Sequence, residues 1–213
     1  MAKRKTLTPK QEDRRHRILS AARDMVADHG YEGMVMSQVA ERAGVSPTTL
    51  YNLYNTKDQL VMESLRELLM DNARHVAAVS ESPGWHYLYQ TVLSGANMAT
   101  DSPAYAEAIL VALQRAKAGD ELVKLLLEDG GANMQSSLDA MQDNGELQKN
   151  VDTQELAFAL NGAYWSTFFL WNKGVIKLQK LKRALLTTFL SLLIPSALGH
   201  SRNDLERLLS ELD

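Results

Sequence analysis

One stretch, GVSPTTLYNLYNTKDQL from Gly44 to Leu60, limits what this chain can fold into more than any other. Ser46 offers a side-chain oxygen to an orphan helix amide, and Pro47 follows at a first helical position, where its missing N–H costs nothing. The order predicts a short helix opening at Pro47. Just upstream, Val39, Ala40 and Ala43 share one helical face, and Gly44 follows where a helix end favours a left-handed residue. Two helices therefore meet at a tight turn. Small Ala40 allows close approach, and Leu50 and Leu53 are placed to anchor the second helix. That helix then presents Pro47, Thr48, Thr49, Tyr51 and Asn52 outward, a polar and aromatic set suited to base edges and phosphates in a major groove. The hydrophobic spacing alone fits a plain helical hairpin inside an α-helical domain equally well.

The wider segment from Ile18 to Leu60 separates these readings, because it resembles the DNA-binding domain of the TetR family of transcriptional regulators. The resemblance rests on an Ala-rich first helix (ILSAARDMVADHGY), a second helix (SQVAERAG), and then VSPTTLYNLYNTKDQL, where Leu50, Tyr51, Tyr54 and Lys57 fall on the family pattern. It implies that Tyr51 and Lys57 hold phosphates and that Pro47, Thr48, Thr49 and Asn52 face bases or nearby backbone. Ser46, the cap, and Tyr54 complete the candidate DNA-binding set. The chain departs from the family at Val35 and Met36, where a Thr or Ser usually opens the second helix; Ser37, one residue on, is the expected replacement cap.

A chain of 213 residues is long enough for a small and a larger helical domain, each with its own core. The absence of Cys removes disulfides and thiolate metal sites and points to the cytoplasm. The opening MAKRKTLTPKQEDRRHR is basic without an apolar core, unlike a secretory signal. The longest apolar run, ALLTTFLSLLIPSALG, contains Pro195 and is too short to span a bilayer, so no membrane partner is expected. Charge is uneven: Met1 to Leu60 holds ten Lys/Arg against seven Asp/Glu, and the remainder thirteen against nineteen. A basic end on an acidic body suits a selective DNA binder. The bias is strongest over Met1 to Arg17, readable as an arm touching the DNA backbone or minor groove, or, over Met1 to Thr6, equally as a solvated tail.

Local signals place the other helices. Thr8, Pro9 and Gln11 form a capping box for a first helix that runs to His29 and stops at Gly30. Thr56 and Gln59 form a second box opening a long helix to about Val79. SESPG, Ser80 to Gly84, marks a loop, after which helices are expected over Trp85 to Ala99, Pro103 to Lys117, Asp120 to Gln142, Thr153 to Lys173 and Leu178 to Leu198. Adjacent Gly130 and Gly131 invite a kink. The stripe Leu205, Leu208, Leu209 and Leu212 adds a short terminal helix. The fold is all-α: an arm and a three-helix DNA-binding domain with a helix-turn-helix over 1–56, and a larger helical ligand-binding and dimerisation domain over 57–213.

Enzyme chemistry finds no support in the sequence. The five His are scattered without metal-ligand spacing, and neither a phosphate-binding Gly loop nor GxSxG occurs, so no catalytic residue, metal or cofactor is assigned. Aromatic and Met residues concentrate in the body, with isolated polar groups at Asn97, Gln114, Asn133 and Asn161, as in an apolar small-molecule pocket. Met98, Tyr105, Met134, Tyr164 and Phe168 are the candidate ligand-binding residues. The helices over 153–173 and 178–198 are apolar on more than one face, which a partner surface would explain, and the resemblance to the TetR family implies a homodimer interface there, with Leu186 and Leu190 expected on the exposed face. The resulting reading is a cytoplasmic homodimeric repressor, released from a palindromic double-stranded DNA operator by a small apolar or amphipathic effector. A ligand-independent helix-turn-helix architectural or protein-interaction factor is the alternative.

Overall fold

A computed structural model describes residues 8–80 and 83–212. It divides into two compact units, one reaching Asp71 and the other running from Asn72 to Asp213. No strand forms among the described residues. A single antiparallel bridge pairs Leu147 with Ala197.

The first unit contains α1 (Pro9–Gly33), α2 (Met36–Arg42), α3 (Pro47–Leu53) and the start of α4 (Lys57–Val79). At α1 the capping box is complete, with the Thr8 side chain accepting from the Gln11 amide and Gln11 returning to the Thr8 backbone. Gly30 breaks the helical path at φ 69°, ψ 171°, and one further turn carries the chain to Gly33. The α1 stripe of Ile18, Leu19, Ala21, Ala22, Met25 and Val26 is buried, as are Val39 and Ala40 of α2, Leu50 of α3 and Leu60, Val61 and Leu65 of α4. Full burial contributes about 1.5–3 kcal/mol for each large aliphatic side chain, so these residues are the main force that holds the four helices together.

Two local expectations fail here. Helix α2 opens on Val35 with no side-chain cap, and Ser37 lies inside its first turn instead of capping it. Extended Val35, itself exposed, fixes the entry while Met36 turns into the core. At α4, Thr56 Oγ1 does accept from the Gln59 amide at 3.1 Å, but Gln59 Oε1 reaches past Thr56 to the Asn55 amide, also 3.1 Å.

The second unit holds α5 (Trp85–Asp101), α6 (Pro103–Arg115), α7 (Glu121–Val123), a π-helical turn (Lys124–Glu128), α8 (Asp129–Asp143), α9 (Thr153–Asn172), α10 (Leu178–Leu193) and α11 (Gly199–Ser210). Its core joins Leu88 and Val92 of α5, Leu138 and Met141 of α8, Leu160 and Phe168 of α9 and Leu185, Leu186, Phe189, Leu190 and Leu193 of α10. The irregularity expected at Gly130 and Gly131 falls one turn earlier, in the π turn. Asn161 on α9 donates to the Leu127 carbonyl at 2.9 Å, and a Cβ on Gly131 would sit 3.3 Å from the same amide nitrogen. A side chain inserted against a helix's carbonyl ladder widens the turn, and Gly supplies the room. Helix α10 ends at Leu193, short of Leu198, because Pro195 lacks the amide and its ring crowds the preceding turn; a 3₁₀ turn over Ile194–Ser196 follows.

Candidate nucleic-acid interface

The turn between α2 and α3 is built by three residues. Gly44 adopts φ 66°, the left-handed conformation that Gly enters without a Cβ penalty. The Val45 amide then returns to the Ala40 carbonyl at 2.9 Å and the Gly44 amide to Glu41 at 3.0 Å, the paired closure of a Schellman end. Arg17 of α1 donates through Nη1 to the Ala43 carbonyl, and a Cβ on Gly44 would stand 3.2 Å from that nitrogen. Position 44 therefore needs Gly for its backbone and also for the guanidinium beside it.

On α3, Ser46 Oγ accepts from the Thr49 amide at 3.1 Å and pairs with the Thr49 hydroxyl at 2.8 Å. Thr49 is consequently half-buried and turned to its own cap, while Ser46, Pro47, Thr48, Tyr51 and Asn52 are exposed. Two neighbours exchange the roles the spacing suggested. Leu53, expected as an anchor, is 43% exposed, whereas Tyr54, expected at the DNA-facing surface, is only 7% exposed. The helix stops at Leu53 and Tyr54 continues in extended backbone, which swings its ring inward. Burial, partly opposed by the charge of Arg15, pushes the Tyr54 hydroxyl up to about 12.

The basic side chains of this unit are mostly engaged by the fold itself. Lys57 Nζ donates to the Glu32 carbonyl at 3.2 Å and lies 4.5 Å from the Tyr31 ring centroid. Arg42 binds Asp28 at 2.7 Å, which holds that carboxyl below its usual range through the hydrogen bond first and the Arg42 charge second. Arg15 and Arg23 converge on Glu67 of α4 at 2.9 and 3.0 Å. Over residues 8–60 acidic and basic groups balance, so Lys3, Arg4 and Lys5 carry the whole basic excess of the first sixty residues. Of the expected arm over Met1 to Arg17, residues 1–7 lie outside the described residues, and Pro9 to Arg17 form the start of α1 instead of an arm.

In the body, Tyr105, Met134 and Phe168 are buried, and Met98 and Tyr164 are half-buried. Tyr164 packs edge-on to Trp165 and Phe168 at centroid distances of 5.3 and 4.9 Å, and burial raises the pKa of its hydroxyl. Of the four isolated polar groups, Asn161 is spent on Leu127, and Gln114 bonds Asn172 and Lys173, each at 3.2 Å. A pocket of about 370 Å³ opens elsewhere, lined by Ala77, Ser80, Pro83, Tyr87, Asn133, Ser136 and Ser137. None of the five expected ligand residues lines it. Asn133 stands out in the sequence as an isolated polar group and Tyr87 as one of the body's aromatics, whereas Ser80, just past the end of α4, belongs to the turn cluster of Ser80 to Gly84 and carries no pocket signal of its own. Leu186 and Leu190, expected on an exposed face of α10, are 1% and 0% exposed and belong to the monomer core. The apolar residues that do face outward are Phe158 (82% exposed) and Leu170 on α9 and Leu192 on α10. No group of three or more His, Asp or Glu able to hold a metal occurs among the described residues, and none of the described helices is long and apolar enough to cross a membrane.

A short helix held outward by a left-handed Gly turn, on a unit of four helices, is the geometry of a helix-turn-helix DNA-binding domain. Residues 18–63 match the family described as bacterial regulatory proteins, tetR family. The chain is 36% identical over 72 residues to the transcriptional regulator BetI of Agrobacterium fabrum, a match spanning 33% of this chain and 35% of BetI. It is 24% identical over 208 residues to the probable acrEF/envCD operon repressor of Escherichia coli K12, spanning 90% of this chain and 93% of that protein. Among solved structures, SmeT, the repressor of the Stenotrophomonas maltophilia multidrug efflux pump SmeDEF, superposes with a TM-score of 0.71 at 16% identity, covering 89% of this chain and 94% of that one.

Proposed function

We propose that this protein is a cytoplasmic homodimeric repressor that holds a palindromic operator through α3 of each protomer and releases it when a small amphipathic molecule binds the body. The observation that carries the DNA-binding part is the outward face of α3, where Pro47, Thr48, Tyr51 and Asn52 are exposed on a helix fixed by its Ser46 cap, by buried Leu50 at its middle and by buried Tyr54 just past its end. Ser46 and Thr49 shape that helix more than they read DNA, and Lys57, steadied by Glu32 and Tyr31, is the phosphate anchor beside it. Assembly is supported by the outward stripe of α9, where Phe158, Ala159, Gly162, Ser166 and Leu170 present two large and three small groups to a partner helix. A two-fold dimer sets the two reading helices about one helical turn of DNA, or a multiple, apart.

The effector part is supported by the pocket at Ser80, Tyr87, Asn133 and Ser137, whose mixture of hydroxyls, one amide and an aromatic ring suits an amphipathic molecule. Ala77 of α4 lines this pocket, and α4 is also the helix that enters the DNA-binding unit, so it is the element that carries the signal. An effector that weakens operator binding about 5- to 150-fold requires a coupling of about 1–3 kcal/mol, and the operator must weaken effector binding equally.

The test is selection of genomic fragments on the purified protein, followed by titration of the enriched duplex over a range of salt. Wild type should enrich an inverted repeat, and Lys57→Ala should lower the salt slope by about one counter-ion per half-site. Enrichment no better than random fragments defeats the reading. An unchanged slope removes the role given to Lys57.

A further inference from the structure

The reading helix carries no charge: α3 is PTTLYNL. Its hydrogen-bonding groups are few, and the fold has already spent one of them. The Thr49 hydroxyl pairs with Ser46 at 2.8 Å, which leaves Thr48, Tyr51 and Asn52. These stand at helical positions i, i+3 and i+4 and share the exposed face. Thr48 and Tyr51 offer one hydroxyl each. Asn52 alone offers a donor and an acceptor side by side in one plane, and its amide makes no hydrogen bond to any described residue.

Base edges differ in what they ask for. In the major groove guanine shows two acceptors, N7 and O6, and is read by the paired donors of Arg or by Lys; adenine shows the N7 acceptor beside the N6 donor, which an amide matches with both its atoms. The two cations that flank α3 in sequence are held elsewhere, Arg42 by Asp28 at 2.7 Å and Lys57 by the Glu32 carbonyl at 3.2 Å, and Arg17, at the turn before α3, is held by Asp13 at 3.2 Å and the Ala43 carbonyl. The methyl group of Thr48 adds an apolar contact of the kind that thymine's 5-methyl accepts. We infer that Asn52 is the base-reading residue of α3, that each half-site presents it with an A·T pair through adenine N7 and N6, and that α3 reads no guanine. The inference rests on the operator-binding reading above and adds which bases are read and by what.

Base analogues on the full-length protein test it. A duplex enriched from a random pool is resynthesised with 7-deazaadenine at one adenine of a half-site at a time, which deletes the N7 acceptor and keeps Watson–Crick pairing; 7-deazaguanine is placed likewise at each guanine. One adenine per half-site should be sensitive, weakening binding about 5- to 150-fold, the equivalent of 1–3 kcal/mol at 1.4 kcal/mol per tenfold. In Asn52→Ala, whose circular dichroism melt verifies folding, the same analogue should matter less than about twofold and the preference for adenine there should be lost. The inference is overturned if no adenine position is sensitive, if the sensitivity survives in Asn52→Ala, or if the α3-dependent position proves to be guanine. Failure to enrich any duplex is a different result: it removes the operator-binding reading, and this inference with it.

Discussion

Glu67 is the residue whose removal should cost the DNA-binding unit most for the least change in volume. Its carboxylate, with a side chain only 8% exposed, receives Arg15 Nη1 at 2.9 Å on one oxygen and Arg23 Nη1 at 3.0 Å on the other, so two arginines of α1 are tied to one point on α4. Arg23 also donates to the Ser64 carbonyl at 3.2 Å. A charge-assisted hydrogen bond contributes about 1.5–3 kcal/mol, and stripping one partner from a fully buried ion pair costs about 3–5 kcal/mol. Arg15 and Arg23 keep 22% and 18% side-chain exposure, so water recovers part of their charge. The lower end therefore applies: about 3 kcal/mol for Glu67→Ala, and about 1–2 kcal/mol for Glu67→Gln, which keeps one acceptor oxygen. The assay can follow the two units separately, because Trp85, Trp165 and Trp171 all lie beyond Asp71. In urea, the far-ultraviolet circular dichroism of Glu67→Ala should lose amplitude before tryptophan fluorescence responds. A double-mutant cycle with Arg23→Ala should return a coupling of about 1–3 kcal/mol. If Glu67→Ala unfolds within about 0.5 kcal/mol of wild type by both probes, the clamp contributes no more than an ordinary surface contact and the reasoning fails.

Three other substitutions follow from particular contacts. Gly95→Ala, which helix propensity alone would make about 1 kcal/mol more stable, should instead destabilise, because the new Cβ overlaps the Tyr164 hydroxyl and lies 3.2 Å from Cζ; Tyr164→Phe in the same chain should restore most of the loss in a thermal melt. Tyr54 ionises at about 12 when folded and near 10 when unfolded, so the stability it confers is complete below about pH 10 and is lost toward pH 12, at about 1.4 kcal/mol per pH unit; Tyr54→Phe should flatten the alkaline limb of a stability-against-pH curve. Phe158→Arg, at a position 82% exposed, should leave the melt of the monomer fold intact and halve the mass seen by sedimentation, whereas Leu190→Arg, at 0% exposure, should unfold the body; a wild type already monomeric at micromolar concentration would contradict the proposed dimer.

The features legible in the sequence are those whose causes lie within about one helical turn. Thr8 with Gln11, Ser46 before Pro47, and Gly44 after Ala43 each bind or bend their own neighbours, so residue type and spacing were sufficient to place them. The errors begin where a distant partner decides. Leu53 and Tyr54 are adjacent and both apolar enough to anchor a helix; which one turns inward depends on where α3 ends, and the chain's exit from Leu53 puts Tyr54 in the core. Helix α10 carries leucines on several faces, and the packing of α5 and α9 against it claims Leu186 and Leu190 for the monomer. Gly95 owes its place to Tyr164, and Asn161, which looks like a pocket residue, owes its place to a carbonyl at Leu127. The basic residues make the same point in electrostatic form. Arg15, Arg17, Arg23 and Arg42 contribute to the positive count of the N-terminal end, yet each is met by a carboxylate or a carbonyl of its own unit. In the proposed function phosphate attraction then draws on Lys57, Lys10 and Arg14 and on Lys3, Arg4 and Lys5, because a cation already paired with a carboxylate releases fewer counter-ions on binding DNA than a solvated one. Charge counted along the chain and charge available to a nucleic acid are different quantities, and only the folded unit tells them apart.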